Sequence, residues 1–126
     1  MKTVRIATVA ATLALVGAAL IGAPAASAKG GDGVKVRGTC TQSSSAKLKL
    51  SREDSGIQIE FEVDQNRNAV PWRVTLQRNG SQIASATATT RAPSGSFEFR
   101  RLTPGGGTFV ASASRVGERC TVTASI

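Results

Sequence analysis

The sequence predicts an all-β protein folded as an antiparallel sandwich, and three features lead to that prediction. Apolar and polar residues alternate in short segments, which is the two-residue period of a strand with one buried face. Gly, Pro, Asn or Ser residues follow most of these segments, so strands recur about every ten residues. After residue 28, no segment keeps the period of an amphipathic helix. These features favour an immunoglobulin-like or fibronectin-like β-sandwich of about seven to eight strands.

Residues 1–28 have the composition of a secretory signal peptide. Basic residues near the start precede residues 6–21, which are apolar and uncharged, and Ala26-Ser27-Ala28 offers the small side chains of a cleavage site. The apolar stretch is shorter than the roughly 20 residues that a membrane-spanning helix needs, so we expect no transmembrane anchor after cleavage. The sequence therefore predicts a secreted, extracellular protein whose mature chain begins at Lys29.

The mature chain has the length of one small domain, because removing 28 residues from 126 leaves 98. Residues 29–33 are Gly-rich and predict a flexible N-terminus, whereas residues 34–126 predict the β-sandwich domain. Two of the 16 basic residues leave with the signal peptide, so the formal charge falls from +8 to +6. We expect a monomer that binds an extracellular partner with exposed negative charge, either anionic cell envelope or a protein.

The alternating apolar residues mark eight predicted strands. In chain order these are Val34, Val36 and Cys40; Leu48 and Leu50; Ile57, Ile59, Phe61 and Val63; Trp72, Val74 and Leu76; the segment Ser81 to Thr89; Phe97 and Phe99; Phe109, Ala111 and Ala113; and Cys120, Val122, Ala124 and Ile126. The segment 81–89 is rich in Ser, Thr and Ala, so we expect it at a sheet edge. Trp72 is in phase with the apolar residues of its strand, which predicts a core position rather than an exposed binding ring.

Two hairpins are predicted between these strands. If residues 51–56 reverse the chain, opposite charges meet across the first hairpin, with Lys47 and Lys49 on one strand and Glu60 and Glu62 on the other. Asn79-Gly80 suits the positive φ angles of a type I′ turn in the second. A regular two-residue turn there places Ile83 opposite Leu76.

Cys40 and Cys120 are predicted to form a disulfide that links the first strand to the last, because an exported protein meets oxidising conditions. No metal or other cofactor is expected, since the chain has no His and no third Cys. Residues 64–68 imitate the start of a calcium loop, but Ala69 and Thr75 replace the Gly and Glu that such a loop requires. A loop held by side-chain hydrogen bonds is therefore predicted near Asp64, with a weak calcium site as the alternative.

The residue types of the mature chain exclude most catalytic machinery. His, Tyr and Met are absent, and no free thiol remains once the two cysteines are bonded. Ser44 and Lys47 match a Ser-x-x-Lys string, but the helix and companion motifs of the corresponding enzymes are missing. Glu60 and Glu62 share one strand face, yet an open sheet face lacks the cleft of a glycosidase. The sequence thus predicts a protein that is not an enzyme.

Two binding roles remain. The first is association with anionic polymers of the cell envelope, for which the candidate anion-binding residues are Arg91, Arg100, Arg101, Arg115 and Arg119. Specific nucleic-acid binding is not expected, because no exposed aromatic residues accompany these arginines. The second is a secreted protease inhibitor that presents residues 90–96, with Arg91 entering a trypsin-like pocket. Pro93 and the lack of a nearby disulfide weigh against this alternative.

Several segments resemble small secreted single-domain proteins of Actinobacteria. The resemblance covers nearly all of the mature chain and is carried by Phe61-Glu62-Val63-Asp64-Gln65-Asn66-Arg67, Trp72-Arg73-Val74, Arg91-Ala92-Pro93-Ser94-Gly95-Ser96-Phe97-Glu98, Gly38-Thr39-Cys40 and Gly117-Glu118-Arg119-Cys120. That group has no assigned activity. The resemblance therefore implies an origin and a one-domain secreted design, and it transfers no functional residues.

Overall fold

The computed structural model describes residues 33–126, which form strands and turns and contain no helix in that range. The predicted signal peptide lies outside the described residues, as do residues 29–32 of the predicted flexible N-terminus. Gly33, the last residue of that predicted N-terminus, instead begins the first strand and pairs with Ser51. No helix able to cross a membrane is found in residues 33–126.

Residues 33–126 form nine strands, one more than predicted, because the predicted first strand is divided at Gly38. There the backbone runs so close to another strand that a Cβ atom on Gly38 would lie 2.5 Å from the carbonyl oxygen of Thr121. The strands are β1 (Gly33–Arg37), β2 (Thr39–Cys40), β3 (Ser45–Glu53), β4 (Gly56–Asp64), β5 (Pro71–Arg78), β6 (Ser81–Thr89), β7 (Ser96–Thr103), β8 (Thr108–Arg115) and β9 (Glu118–Ser125).

The strands form two antiparallel sheets. Sheet 1 has the order β1-β3-β4-β7, and sheet 2 has the order β2-β9-β8-β5-β6. The two sheets pack face to face, so the predicted antiparallel β-sandwich is confirmed. β6 lies at an edge of sheet 2, as its Ser, Thr and Ala content predicts.

Alternate side chains of both sheets form one core. The largest fully buried side chains are those of Trp72, Phe61 and Phe109, which confirms the core position predicted for Trp72. The ring of Phe97 in sheet 1 lies 6.2 Å from the ring of Phe61 and 6.2 Å from that of Trp72 in sheet 2. These aromatic contacts join the two sheets.

The β3–β4 hairpin pairs opposite charges as predicted. Lys47 Nζ lies 3.4 Å from Glu62 Oε1, and Lys49 Nζ lies 3.8 Å from Glu60 Oε2. The turn itself comprises residues 54–55 and is shorter than the predicted loop, because β3 and β4 continue their pairing to the turn. Glu60 and Glu62 are therefore the acidic partners in ion pairs between the two strands.

The β5–β6 hairpin has the predicted turn but a different register. Asn79 and Gly80 have φ angles of 49° and 84°, as a type I′ turn requires. Beyond the turn, a β-bulge shifts the pairing, so that Leu76 lies opposite Ala84. The prediction that Ile83 faces Leu76 is therefore wrong by one residue, because Ile83 is the extra residue of the bulge.

The predicted disulfide between Cys40 and Cys120 is present, and it joins β2 to β9 within sheet 2. The two Cα atoms are 4.0 Å apart, and the cysteines are separated by 80 positions in the chain. The bond attaches the short strand β2 to the sheet. It is consistent with an oxidising, extracellular location.

The connections between strands gather at the two ends of the sandwich. Four of them form what we call the loop end, namely residues 41–44, 65–70, 90–95 and 116–117. Three connections form the opposite, turn end, namely residues 54–55, 79–80 and 104–107.

Candidate functional site

The outer face of sheet 1 is charged but balanced. Among the described residues it carries five cations and five anions, which are Lys35, Arg37, Lys47, Lys49, Arg100, Glu53, Glu60, Glu62, Asp64 and Glu98. Several of them form ion pairs, three of which join neighbouring strands and one of which, Arg100–Glu98, lies within β7. This face therefore contributes no net charge.

The excess positive charge of the described residues lies outside that face. Residues 33–126 contain 13 basic and 7 acidic residues, and subtracting the balanced face leaves eight arginines and two acids. The two remaining acids are Asp54 and Glu118. The positive charge is thus concentrated on the rest of the surface.

Five of the eight arginines lie at or beside the loop end: Arg67, Arg73, Arg91, Arg115 and Arg119. Arg73 and Arg119 pair with Ser114 from opposite sides, in strands that flank β8. Their Cα atoms are therefore two strand spacings, about 10 Å, apart. Glu118 accompanies this group, and Asp64, at the end of the outer face of sheet 1, also lies at the loop end.

The structure does not bring the five arginines predicted from the sequence together. Arg91, Arg115 and Arg119 lie at the loop end. Arg100 lies on the outer face of sheet 1, where it forms ion pairs with Glu98 and Glu60. Arg101 lies in the half of β7 that is closer to the turn end, opposite Ile59.

Sequence reasoning missed Arg67 and Arg73 as members of the basic group. Arg67 is in the loop that resembles a calcium site, and Arg73 alternates with core residues of β5. The sequence does indicate that Arg73 faces outward from its strand, because Arg73 alternates with Trp72 and Val74. Its proximity to Arg119 depends on the pairing of β5 and β9 with β8, which no local pattern reveals.

An open cleft of about 470 Å³ lies at the loop end. It is lined by Ser43, Ser45, Asp64, Gln65, Asn66, Arg67 and Arg115. The lining offers hydroxyl, amide, carboxylate and guanidinium groups, and it contains no aromatic ring. Such a surface can form many hydrogen bonds with a polar ligand but cannot stack against one.

Thr90 holds two of the loops that shape this end. It is buried, its Oγ1 donates a hydrogen bond to the carbonyl oxygen of Arg67, and the same Oγ1 accepts one from N of Val70 at 2.9 Å. The carbonyl oxygen of Gly95 accepts a further hydrogen bond from N of Gln65 at 3.0 Å. The loops that carry Arg67 and Arg91 are therefore attached to each other.

Below the cleft, Arg115 and Glu118 form an ion pair. Arg115 Nη2 donates to Glu118 Oε1 at 3.1 Å, and the Glu118 side chain is 0% exposed. Ser44, in the connection that leads into sheet 1, donates to the same carboxylate from its N at 3.0 Å and from its Oγ at 2.7 Å. The Arg115 guanidinium carbon lies 5.5 Å from the ring centroid of Trp72. These contacts tie the two sheets together at the loop end.

The Glu118 carboxylate is stabilised in its ionised form. Burial alone raises the pKa of such a group, but the hydrogen bonds from Ser44 and the charge of Arg115 outweigh it and hold the pKa of Glu118 below its ordinary value of 4.5. Because the folded pKa is the lower one, the contribution of Glu118 to stability is complete above pH 4.5. It is lost as the pH falls through the folded pKa.

The variant Glu118→Gln is expected to lower the free energy of unfolding by roughly 2 kcal/mol at pH 7, because it leaves the partly buried Arg115 without its counterion. Below pH 4.5 the wild type progressively loses this contribution, so the difference between the two proteins should be smaller at pH 3 than at pH 7. Urea unfolding of both proteins at pH 7 and pH 3 measures this. A difference that stays constant between the two pH values would contradict the ionised state of Glu118.

Asp64 takes part in a hydrogen-bonded loop, as predicted. Its Oδ1 accepts a hydrogen bond from N of Asn66 at 3.0 Å, which forms an Asx turn. Within residues 33–126, one group of metal-ligating residue types lies close together, formed by Cys40, Glu118 and Cys120. The two sulfur atoms are bonded to each other, so they offer no thiolate to a metal.

Chemically, the loop end can attract anions and form hydrogen bonds. Among the described residues, its two carboxylates already have partners, since Asp64 accepts from Asn66 and Glu118 from Ser44 and Arg115. Arg67, Arg73, Arg91 and Arg119 form no ion pair with another residue of 33–126. No protein-family model matches this chain, and neither curated proteins nor solved structures give a significant match.

Proposed function

We propose that this protein is a secreted, non-catalytic binding protein that associates with anionic polymers of the cell envelope through the arginines of the loop end. The observation that carries the proposal is the distribution of charge. The cations of sheet 1 are balanced by carboxylates, whereas the loop end presents Arg67, Arg73, Arg91 and Arg119 without ion pairs within residues 33–126. Secretion and an actinobacterial origin belong to the same proposal.

A polymer fits this arrangement better than a small anion. The exposed arginines are spread over loops and over the adjoining part of sheet 2, and Arg73 and Arg119 alone span about 10 Å. A chain with repeated negative charges can contact several of them at once, and each guanidinium can bind a phosphate or carboxylate through two hydrogen bonds. Binding then adds up from several weak contacts.

A binding role is also supported by the chemistry that the loop end offers. The chain has no His to act as a general base, and of the two carboxylates at the loop end Glu118 is buried beneath Arg115, while Asp64 accepts a hydrogen bond from N of Asn66 through Oδ1. Thr90 and the loops it holds present arginines on an attached framework. Such a framework favours recognition because less loop motion has to be lost on binding.

Replacing Arg67 and Arg119 with glutamine is expected to weaken binding to inorganic polyphosphate roughly tenfold, because two charge-assisted contacts are lost. The matched control replaces Arg52 and Arg101 with glutamine. Both are exposed, lie toward the turn end and form no ion pair within residues 33–126. Titration of the mature chain, residues 29–126, at 50 and 300 mM NaCl measures both affinities.

The control separates a located site from a general charge effect, since both variants lose the same two charges. Equal weakening of the two variants would contradict binding at the loop end. If the wild type does not bind polyphosphate even at 50 mM NaCl, the proposed function itself is contradicted. Polyphosphate binding that is equally tight at 300 mM NaCl would contradict binding through exposed arginines, because ion pairs exposed to solvent are screened by salt.

The protease-inhibitor alternative has less support from the geometry around Arg91. An inhibitor of this kind presents the carbonyl group of its primary residue to the oxyanion hole of the protease. The carbonyl oxygen of Arg91 instead accepts hydrogen bonds from N of Gly95 at 2.9 Å and from N of Ser96 at 3.3 Å. The alternative therefore requires the loop to open, and a trypsin assay with micromolar protein addresses it directly.

A further inference from the structure

The outer face of sheet 2 differs in chemistry from that of sheet 1. Within residues 33–126 it carries no carboxylate, and its two charged residues are Arg73 and Arg119. Most of its remaining side chains bear a hydroxyl group. These hydroxyl residues are Thr39, Thr41, Thr75, Ser85, Thr87, Thr89, Thr108, Ser112, Ser114, Thr121, Thr123 and Ser125.

The register places one row of hydroxyl residues across the whole sheet. It runs through all five strands in the order Ser85, Thr75, Ser112, Thr121, Thr39. With strands about 4.8 Å apart, the row is about 19 Å long. We call it the hydroxyl row.

The neighbouring row, toward the loop end, contains the two arginines. It runs through Thr87, Arg73, Ser114 and Arg119. The hydroxyl row and this arginine row are one two-residue step, about 7 Å, apart along the strands. Sheet 2 therefore extends the basic loop end with a broad surface of hydrogen-bonding groups.

The hydroxyl row is accessible and not used within the described part of the protein. None of its five residues is buried, and none makes a side-chain hydrogen bond to another residue of 33–126. Each hydroxyl can donate one hydrogen bond and accept two. A ligand with alternating hydroxyl and anionic groups could satisfy the hydroxyl row and the arginine row together.

We propose that this face binds a polyol phosphate chain, with phosphates at Arg73 and Arg119 and polyol hydroxyl groups along the hydroxyl row. The inference rests on the proposed function and names the class of polymer. Charge complementarity supports an anionic occupant, because no carboxylate of the described residues on this face repels one. Arginine binds phosphate through paired hydrogen bonds.

The absence of aromatic residues favours an acyclic polyol over sugar rings or nucleobases. Pyranose rings and bases are usually held by stacking on exposed aromatic side chains. In the described residues, Trp72, Phe61, Phe97 and Phe109 are buried in the core, Phe99 packs against it from sheet 1, and none faces outward from sheet 2. An acyclic chain needs only hydrogen bonds and ion pairs, and it can follow the twist of the sheet.

The test uses the variant with Thr75→Val, Ser112→Ala and Thr121→Val, which removes three adjacent hydroxyl groups while valine keeps the β-branched shape of threonine. The control variant with Ser51→Ala and Ser55→Ala removes hydroxyl groups elsewhere. The probes are poly(glycerol phosphate), inorganic polyphosphate and polygalacturonate. We expect the first variant to bind poly(glycerol phosphate) about tenfold more weakly, to bind polyphosphate as the wild type does, and to melt at a similar temperature.

Other results overturn the inference. If the variant binds poly(glycerol phosphate) as tightly as the wild type, the hydroxyl row is not part of the site. If the wild type prefers polygalacturonate, and this preference depends on the hydroxyl row, the occupant is an acidic sugar polymer. Wild-type binding to polyphosphate without binding to poly(glycerol phosphate) overturns this inference alone, whereas binding to none of the probes overturns the proposed function as well.

Discussion

Replacing Cys40 and Cys120 together with alanine is expected to lower the free energy of unfolding by about 4.5 kcal/mol. The two cysteines are 80 positions apart, so the bond removes the entropy of a long loop from the unfolded chain. Small domains have a total stability of about 5–15 kcal/mol, so this one bond supplies a large part of it. Urea unfolding of the oxidised wild type and of the double variant measures the difference.

The wild type under reducing conditions serves as the control for this prediction. Its stability should approach that of the alanine double variant, because both lack the cross-link while their other contacts are nearly the same. A loss below about 1 kcal/mol in both proteins would contradict the prediction. Such a small loss would mean that the unfolded chain without the cross-link keeps residual structure between the regions of β2 and β9, or that the cross-link strains the folded protein.

Replacing Trp72 with alanine is expected to cost about 3–5 kcal/mol, because Trp72 is fully buried and its removal leaves a cavity. The substitution also removes the ring that contacts Phe97 and the guanidinium of Arg115. Gln65 loses the hydrogen bond that its Oε1 accepts from Trp72 Nε1 at 3.1 Å. Core packing and the floor of the loop end are thus weakened by one change.

Circular dichroism during urea unfolding measures this effect, since the variant lacks the single Trp of the chain. Trp72→Phe should lose less stability than Trp72→Ala, because phenylalanine fills part of the volume. Leu102→Ala is the surface control. Leu102 is 46% exposed on β7, and its replacement should change stability by about 0.5 kcal/mol or less. Equal losses for Leu102→Ala and Trp72→Ala would contradict the core role of Trp72.

The fold could be predicted from the sequence wherever local alternation and turn chemistry decide the structure. The alternation of Ile57, Ile59, Phe61 and Val63 was sufficient to assign β4, and Asn79-Gly80 was sufficient to assign a two-residue turn. The bulge at Ile83 was not predictable, because it arises from how β6 meets its neighbour and not from a turn signal. The division of the first strand at Gly38 likewise depends on the distant strand β9.

The candidate site was less predictable than the fold because it is built from distant parts of the chain. The sequence identifies basic residues, but it does not show that Glu60 compensates Arg100. Strand order decides that, since β7 lies beside β4. The same holds for the hydroxyl row, whose members come from five strands and meet only through the register.

Because β9 lies inside sheet 2, β2 can join that sheet only after β9 has been synthesised. Among the nine strands of residues 33–126, β9 is the last in the chain, yet it lies between β2 and β8. At a synthesis rate of ~5–20 residues per second, Cys40 precedes Cys120 by roughly 4–16 s. During that interval β2 has no neighbour within its sheet, and the Cys40 thiol is free to react. Productive oxidation therefore has to wait for the final strand, because Cys120 is the only other cysteine of residues 33–126.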